Sequence, residues 1–294
     1  MSLILTEVSA AGIAMVADSA ISYLNAKTRQ IEAHQTDWLK LLKVDRIQAA
    51  VSYWGNVGAV AKTQDFDTWL IHRVKRGTYE DLPSLADYLV SELNEACADK
   101  PLPNEQCVGI HVAGYHPWDD GQKRPTFYHV HNGHGGIKIE QCFDQSTNPP
   151  TLTRTTGAWE GAPREVFRKH QDFPLANLTP QQNLQVLNAG YITRNGDYFP
   201  YLIIDSGMDA IRRTLNSIPG VSLPKEPTKL GPHLGYLATV MLTVINIYNC
   251  SSLARVIGGN VSALGIKPDG TFTSLPSRKS KFTALRSAKV AKLP

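Results

Sequence analysis

Cysteine is scarce and scattered in this 294-residue chain: Cys97, Cys107, Cys142 and Cys250, with no C-x-x-C pair. That spacing favours reduced thiols and a cytoplasmic setting over a disulfide framework. Long apolar runs are lacking too. The longest helical one, Tyr236 to Ile247, is interrupted by Thr239, Thr243 and Asn246 and is too short to span a bilayer, so it reads as a buried core helix. No cationic, apolar, small-residue leader opens the sequence, and Glu7 breaks the first apolar stretch. There is no G-x-S-x-G elbow, and Gly135-Gly136 and Gly258-Gly259 lack the spacing of a phosphate-binding loop. Nucleotide binding therefore finds no support.

Acidic residues are missing from Thr271 onward, where six basic ones occur (Arg278, Lys279, Lys281, Arg286, Lys289, Lys292). The net charge of +4 is thus an average over two unlike parts. The other 24 Lys and Arg face 26 Asp and Glu, a mildly acidic body ahead of a basic tail. Such a tail reads as solvated and mobile, and nothing elsewhere interleaves basic and aromatic residues as a nucleic-acid surface would. With 42% hydrophobic residues, residues 1 to 274 suffice for one large-cored domain, with 275 to 294 as the tail.

What is present begins at the second residue. A small residue after Met favours removal of the initiator, and here that would expose Ser2 with both a hydroxyl and a free α-amine. A hydroxyl needs a neighbouring base to become a nucleophile, and an amine titrating near neutrality is such a base. The next segment reads as a hairpin: Leu3 to Val8, a turn over Ser9 to Gly12, then Ile13 to Ala17. Its reversal returns Asp18 to the side of Ser2. Both runs are almost continuously apolar, which predicts a sheet covered on both faces. Two more short strands, Leu41 to Val44 and Ile47 to Tyr53, are joined at Asp45-Arg46. If they enter the same sheet, Lys40 comes near Ser2 and Asp18, where its ammonium would favour a neutral amine while Asp18 keeps Lys40 charged.

Further along, helices are expected over Asn56 to Lys75, Pro83 to Ala98, Pro163 to Lys169, Pro180 to Ala189 and Ile203 to Ile218. Two strands, Val108 to Tyr115 and Thr126 to Val130, flank a polar loop carrying Asp119 and Asp120. A Pro-rich connection, Pro219 to Pro232, precedes the core helix and a final strand pair. The alternation predicts an α/β protein with two stacked sheets between helical layers.

Other constellations are weaker. His129 and His131 of the H-x-H, with His134, could begin a metal site, but no Cys, Asp or Glu at suitable spacing completes it, and Asn132-Gly133 suggests a hairpin tip. Asp119-Asp120 reads as a polar turn. Gly157 to Gly161 could cradle an anion ahead of a helix, yet Glu160 opposes that.

The order of Ser2, the turn glycine Gly12, "VADS" at residues 16 to 19, "KLLKVD" at 40 to 45 and a small-residue strand ending at Gly55 resembles the proteasome β-subunit branch of the N-terminal nucleophile hydrolases. Later stretches are similar in order: "VGIHVAGYHP" with "RPTFYHVHNG" within Val108 to Gly133, "TTGAWEGAP" at Thr155 to Pro163, and "IGGNVSALGIKPDG" at Ile257 to Gly270. That resemblance implies a four-layer αββα sandwich of N-terminal nucleophile type and a peptide or amide hydrolase without metal or organic cofactor. It implies Ser2 as nucleophile, Asp18 and Lys40 as its electrostatic support, and an oxyanion site at the backbone around Trp54 and Gly55. It also implies self-association into a homo-oligomer such as a ring. The sequence departs from the pattern by Ser for the usual Thr, by a longer Asp18-to-Lys40 segment, by Ala158 or Trp159 where the family has a serine, and by Asn249-Cys-Ser-Ser252 for a late Asp-x-x-Ser. A catalytically inactive ring-forming subunit and a small-molecule amidase of the same fold stay open beside the peptidase.

Overall fold

The computed structural model describes residues 3–24, 31–55, 57–60, 65–98, 108–132, 137–144, 151–158, 167–196, 199–220, 229–250 and 257–279. In chain order the strands and helices are β1 (Leu3–Ser9), β2 (Gly12–Asp18), β3 (Ile21–Leu24), β4 (Ile31–Gln35), β5 (Leu41–Val44), β6 (Ala49–Gly55), α1 (Phe66–Arg76), α2 (Leu82–Cys97), β7 (Val108–Pro117) and β8 (Lys123–His131). There follow β9 (Ile137–Asp144), β10 (Thr151–Ala158), β11 (Arg168–Phe173), α3 (Pro180–Ala189), β12 (Tyr191–Gly196), α4 (Phe199–Asn216), α5 (Leu230–Cys250), β13 (Asn260–Ile266) and β14 (Phe272–Lys279).

Two five-stranded sheets dominate, ordered β12-β1-β2-β13-β14 and β11-β8-β7-β6-β5, and β3-β4 and β9-β10 form separate two-stranded ribbons. Every strand pairing in them is antiparallel. β1 and β2 are buried at all seven positions each, as continuous apolar runs require. Alternate residues of β1 go to opposite faces, so Leu3 and Leu5 pack with Leu234, Leu237 and Met241 of α5, while Ile4 and Val8 pack with Ala50, Ala113 and Phe127 of the second sheet. The second sheet does the same, turning Val51, Ile110, Val112 and Val130 towards Leu85, Leu89 and Leu93 of α2.

Local chemistry sets the helix starts. Asp81 accepts from Ser84 N and Thr179 from Gln182 N, each in a reciprocal capping box with Pro83 or Pro180 in the first turn. α5 runs longer than the apolar stretch expected, and with a mean hydropathy of 1.4 over Leu230–Asn249 it has the length and composition to cross a bilayer. In this fold its Leu234, Leu237, Met241, Val244 and Ile245 are instead covered by the first sheet.

Three expectations need correcting. The strands Leu41 to Val44 and Ile47 to Tyr53 do not join the opening hairpin's sheet; β5 and β6 form an edge of the second one. Ile47 belongs to a short 3-10 turn, Asp45–Ile47, because Gln48 adopts a left-handed φ of 53° that starts the next strand at Ala49. The helix expected over Pro163 to Lys169 is contradicted at its end, where Arg168 and Lys169 open β11; residues 163–166 lie outside the described residues, as does most of 275 to 294. Of that last stretch, the part up to Lys279 continues β14 and pairs with β13.

Candidate active site

The end of the opening hairpin is organised around one carboxylate. β1 and β2 pair Ile4 with Ala17 and Ser9 with Gly12, so Asp18 stands across from the first residue of β1. Its Oδ1 accepts from the Leu3 backbone N–H at 3.0 Å and from Lys40 Nζ at 2.8 Å. Its Oδ2 accepts from the backbone N–H of Ala20 at 3.3 Å and of Gly258 at 3.1 Å. Neither side chain of the Asp18–Lys40 pair has any solvent exposure. Lys40 also donates to the Ala20 carbonyl, so two acceptors hold its ammonium. Burial pulls the Lys40 pKa below the usual lysine value, and the charge and hydrogen bond of Asp18 oppose that pull. The two bonds from its Nζ, to a carboxylate and a carbonyl, are those an ammonium makes.

Lys40 thus reaches Asp18 from the other sheet. It immediately precedes β5, whose first residue Leu41 pairs with Ser52 of β6. Trp54 and Gly55 lie two and three residues beyond Ser52, at the end of β6 on the Lys40 side. The register therefore gathers Leu3, Asp18, Lys40, Trp54 and Gly55 at one end of the two-sheet stack. Ser2 lies outside the described residues, one residue before Leu3, whose N–H is held by Asp18.

Sequence reasoning missed the third wall. Residues just before β13 clamp the end of β2: Ser19 N donates to the Gly258 carbonyl at 3.3 Å, Asn260 N donates to Ser19 Oγ at 2.7 Å, and Ser19 Oγ donates to the Thr36 carbonyl. Gly259 is obligatory in this clamp, because its φ is +75° and a Cβ there would come within 2.6 Å of the Thr36 backbone oxygen. The available signal was Gly258-Gly259 beside the small residues of "VADS", which makes sense only once β13 pairs with β2 through Val261 and Asp18.

The other candidates fall elsewhere. His129 and His131 are buried, with rings 4.5 Å apart, and not at a surface hairpin tip. His134 lies outside the described residues, as do Trp159, Glu160, Gly161, Ser251 and Ser252. Asp120 caps its turn, accepting from Gln122 N and Arg124. Among the described residues, no group of three or more His, Cys, Asp or Glu is arranged to hold a metal ion.

No family model and no curated protein matches the chain. Among solved structures it is similar to a mutant Anbu protein from Hyphomicrobium sp. strain MC1, at 13% identity and a TM-score of 0.45 over 100% of this chain and 98% of that one. It is also similar to Anbu, described as an ancestral beta-subunit, from Yersinia bercovieri, at 13% identity and a TM-score of 0.46 over 99% of this chain and 97% of that one.

Proposed function

We propose that this chain is a proteasome-like N-terminal nucleophile hydrolase of peptide or amide bonds, built as a four-layer αββα sandwich, with Ser2 as nucleophile once Met1 is removed. The observation that carries the reading is the buried Asp18–Lys40 pair, whose Asp18 Oδ1 also takes the N–H of Leu3. A charged pair sealed from water is costly unless geometry repays it, and this one abuts the residue next to Ser2. The apolar cores on both faces of each sheet support the layered architecture.

In the mechanism, Ser2 Oγ attacks the substrate carbonyl carbon as the Ser2 α-amine takes its proton, directly or through one water. The Lys40 ammonium disfavours a second cation beside it and so keeps the amine unprotonated before attack. Asp18 keeps Lys40 charged and fixes its direction. The oxyanion forms against the backbone N–H at Gly55. Collapse of the tetrahedral intermediate breaks the C–N bond, the α-ammonium returns the proton to the leaving amine, and water then hydrolyses the seryl ester with the amine again as base. No step needs a metal or an organic cofactor. Ser2→Ala should abolish turnover of a fluorogenic peptide panel while the fold persists, and Lys40→Ala should lose at least about a hundredfold. Full activity in Ser2→Ala, or Met1 retained on nearly all molecules from the native source, would defeat the reading.

Self-association is a second part of the proposal. Ile211, Leu215 and Ile218 are exposed at helical spacing along α4 and just beyond it, with Ile247 exposed on α5. Light scattering should find several subunits per particle at micromolar concentration in physiological salt; a strict monomer refutes assembly and leaves the hydrolase reading standing. An assembled particle whose Ser2 is free yet inactive would instead favour the structural-subunit alternative.

A further inference from the structure

Four strands of the second sheet place polar residues in one cross-strand row facing the first sheet. Ser52 of β6 pairs with His111 of β7, His111 with His129 of β8, and His129 with His170 of β11. His111 Nδ1 meets Thr6 Oγ1 of β1 at 2.8 Å, which fixes the side of the sheet on which the row lies. Trp54 is on the same face of β6 as Ala50 and Ser52 and packs into the inter-sheet core. Its indole Nε1–H donates to His129 Nε2 at 2.9 Å. The acceptor role requires the proton of a neutral His129 on Nδ1, which faces Asp172 Oδ2 at 3.8 Å. The indole lies against Gly109, the partner of Trp54 across the β6–β7 ladder, where a Cβ would come within 2.5 Å of indole Cε2. Indole, imidazole and strand are thus fitted together at the site end of β6.

We propose that His129 is a positioning residue for the oxyanion end of β6: neutral His129 holds the Trp54 indole, and the indole sets the backbone N–H of the adjoining Gly55. The inference rests on the hydrolase reading above and adds to it a residue that touches neither substrate nor nucleophile. Protonation of His129 at Nε2 turns the acceptor into a donor facing another donor, and the indole is released. The titratable groups around His129 are His111 from β7, His131 from β8, and His170 and Asp172 from β11; Trp54 of β6 and Phe127 of β8 are its uncharged ring neighbours, and Thr6 and Ser52 lie at His111, one strand further on. Glu7 is turned to the other face of the first sheet, where His233 of α5 meets it at 2.7 Å. Burial holds His129 well below the usual histidine value, and the three neighbouring histidines add to that. Burial also pushes Asp172 up to about 7, so it offers a weakening counter-charge as the pH falls below neutrality. The holding form therefore persists at neutral pH and is lost in acid.

The experiment uses the full chain with 5-fluorotryptophan at its five Trp positions, the Trp54 fluorine resonance assigned by its loss in Trp54→Phe. Titrated from pH 8 to 4.5, that resonance should shift with a midpoint below the ordinary histidine range, and it should stay flat in His129→Gln, whose amide oxygen still accepts but does not titrate. With a fluorogenic peptide, His129→Leu should lower kcat at least about tenfold with little change in KM, a fraction of the loss expected for deleting an oxyanion donor outright. His129→Gln should recover most of that loss. A Trp54 resonance that titrates equally in wild type and His129→Gln, or a His129→Leu defect that Gln does not relieve, overturns the proposal. A wild-type chain inactive on every peptide overturns the hydrolase reading, while the fluorine titration still decides the His129–Trp54 link by itself.

Discussion

Replacing Asp18 by Asn tests the centre of the site most directly, because the shape is kept and one oxygen becomes an amide. Asp18 accepts four bonds, two per oxygen: Leu3 N–H and Lys40 on Oδ1, Ala20 N–H and Gly258 N–H on Oδ2. The amide nitrogen cannot face the ammonium, so it takes the Oδ2 position and leaves two buried backbone donors unmatched, at about 1–3 kcal/mol each. The Lys40 ammonium meanwhile loses its counter-charge in a site closed to water, a change that typically costs about 3–5 kcal/mol when one partner of a buried pair is removed. These costs overlap, and we expect a loss of roughly 4 kcal/mol at pH 7, read from urea unfolding with circular dichroism. The pH response follows from Lys40. Its folded pKa lies below its unfolded value, so between the two the unfolded chain binds more protons and stability rises with pH. Without Asp18 that folded value falls further, the window widens, and Asp18→Asn should regain part of its deficit between pH 7 and 9 relative to wild type. Lys40→Met should be destabilising alone, and the double variant less destabilised than the two singles added together. Additive single effects, or a loss under about 1 kcal/mol in Asp18→Asn, would refute the picture of a sealed and mutually dependent pair.

Asp172 carries a folded pKa of about 7 raised by burial, so the folded chain binds more protons than the unfolded one between about pH 4 and 7 and loses stability as the pH rises across that window. Asp172→Asn should therefore gain on wild type as the pH rises from 4 to 8, by roughly 1–3 kcal/mol in paired urea titrations; a difference independent of pH counts against it. Gly259→Ala should cost about 2–4 kcal/mol, because a left-handed backbone and a contact with the Thr36 carbonyl are both forced on it. If its urea midpoint matches wild type, the clamp on the end of β2 is not tight.

The opening hairpin was legible because everything that defines it is local: two apolar runs, a glycine turn, and a spacing that leaves Asp18 opposite the first residue of β1. The helices that begin at capping boxes were legible for the same reason. β11 was not. Its sequence, Arg-Lys-His-Gln-Asp-Phe, has no apolar alternation and is half exposed, so only pairing with β8 makes it a strand. Gly258 and Gly259 were visible as a doublet but meaningless until β13 came to lie beside β2, across some 240 residues of chain.

The sheet holding Lys40 shows where sequence reasoning reached the right residues by the wrong route. Apolar strands carry no label for which of two sheets they join, since both sheets here are covered on both faces and ask for the same residues. Placing β5 in the opening sheet was the simplest guess that brought Lys40 to Asp18, and the structure achieves the same meeting across the gap between sheets. The physical consequence differs. A lysine beside Asp18 in one sheet would be a ladder neighbour, whereas a lysine reaching from the other sheet ties the two sheets together at the end that holds the site. Anything that shifts one sheet against the other then changes the Asp18–Lys40 distance directly. On that account the inter-sheet contact of Thr6 with His111, although away from the proposed nucleophile, bears on the chemistry: it helps fix the spacing across which Lys40 must reach.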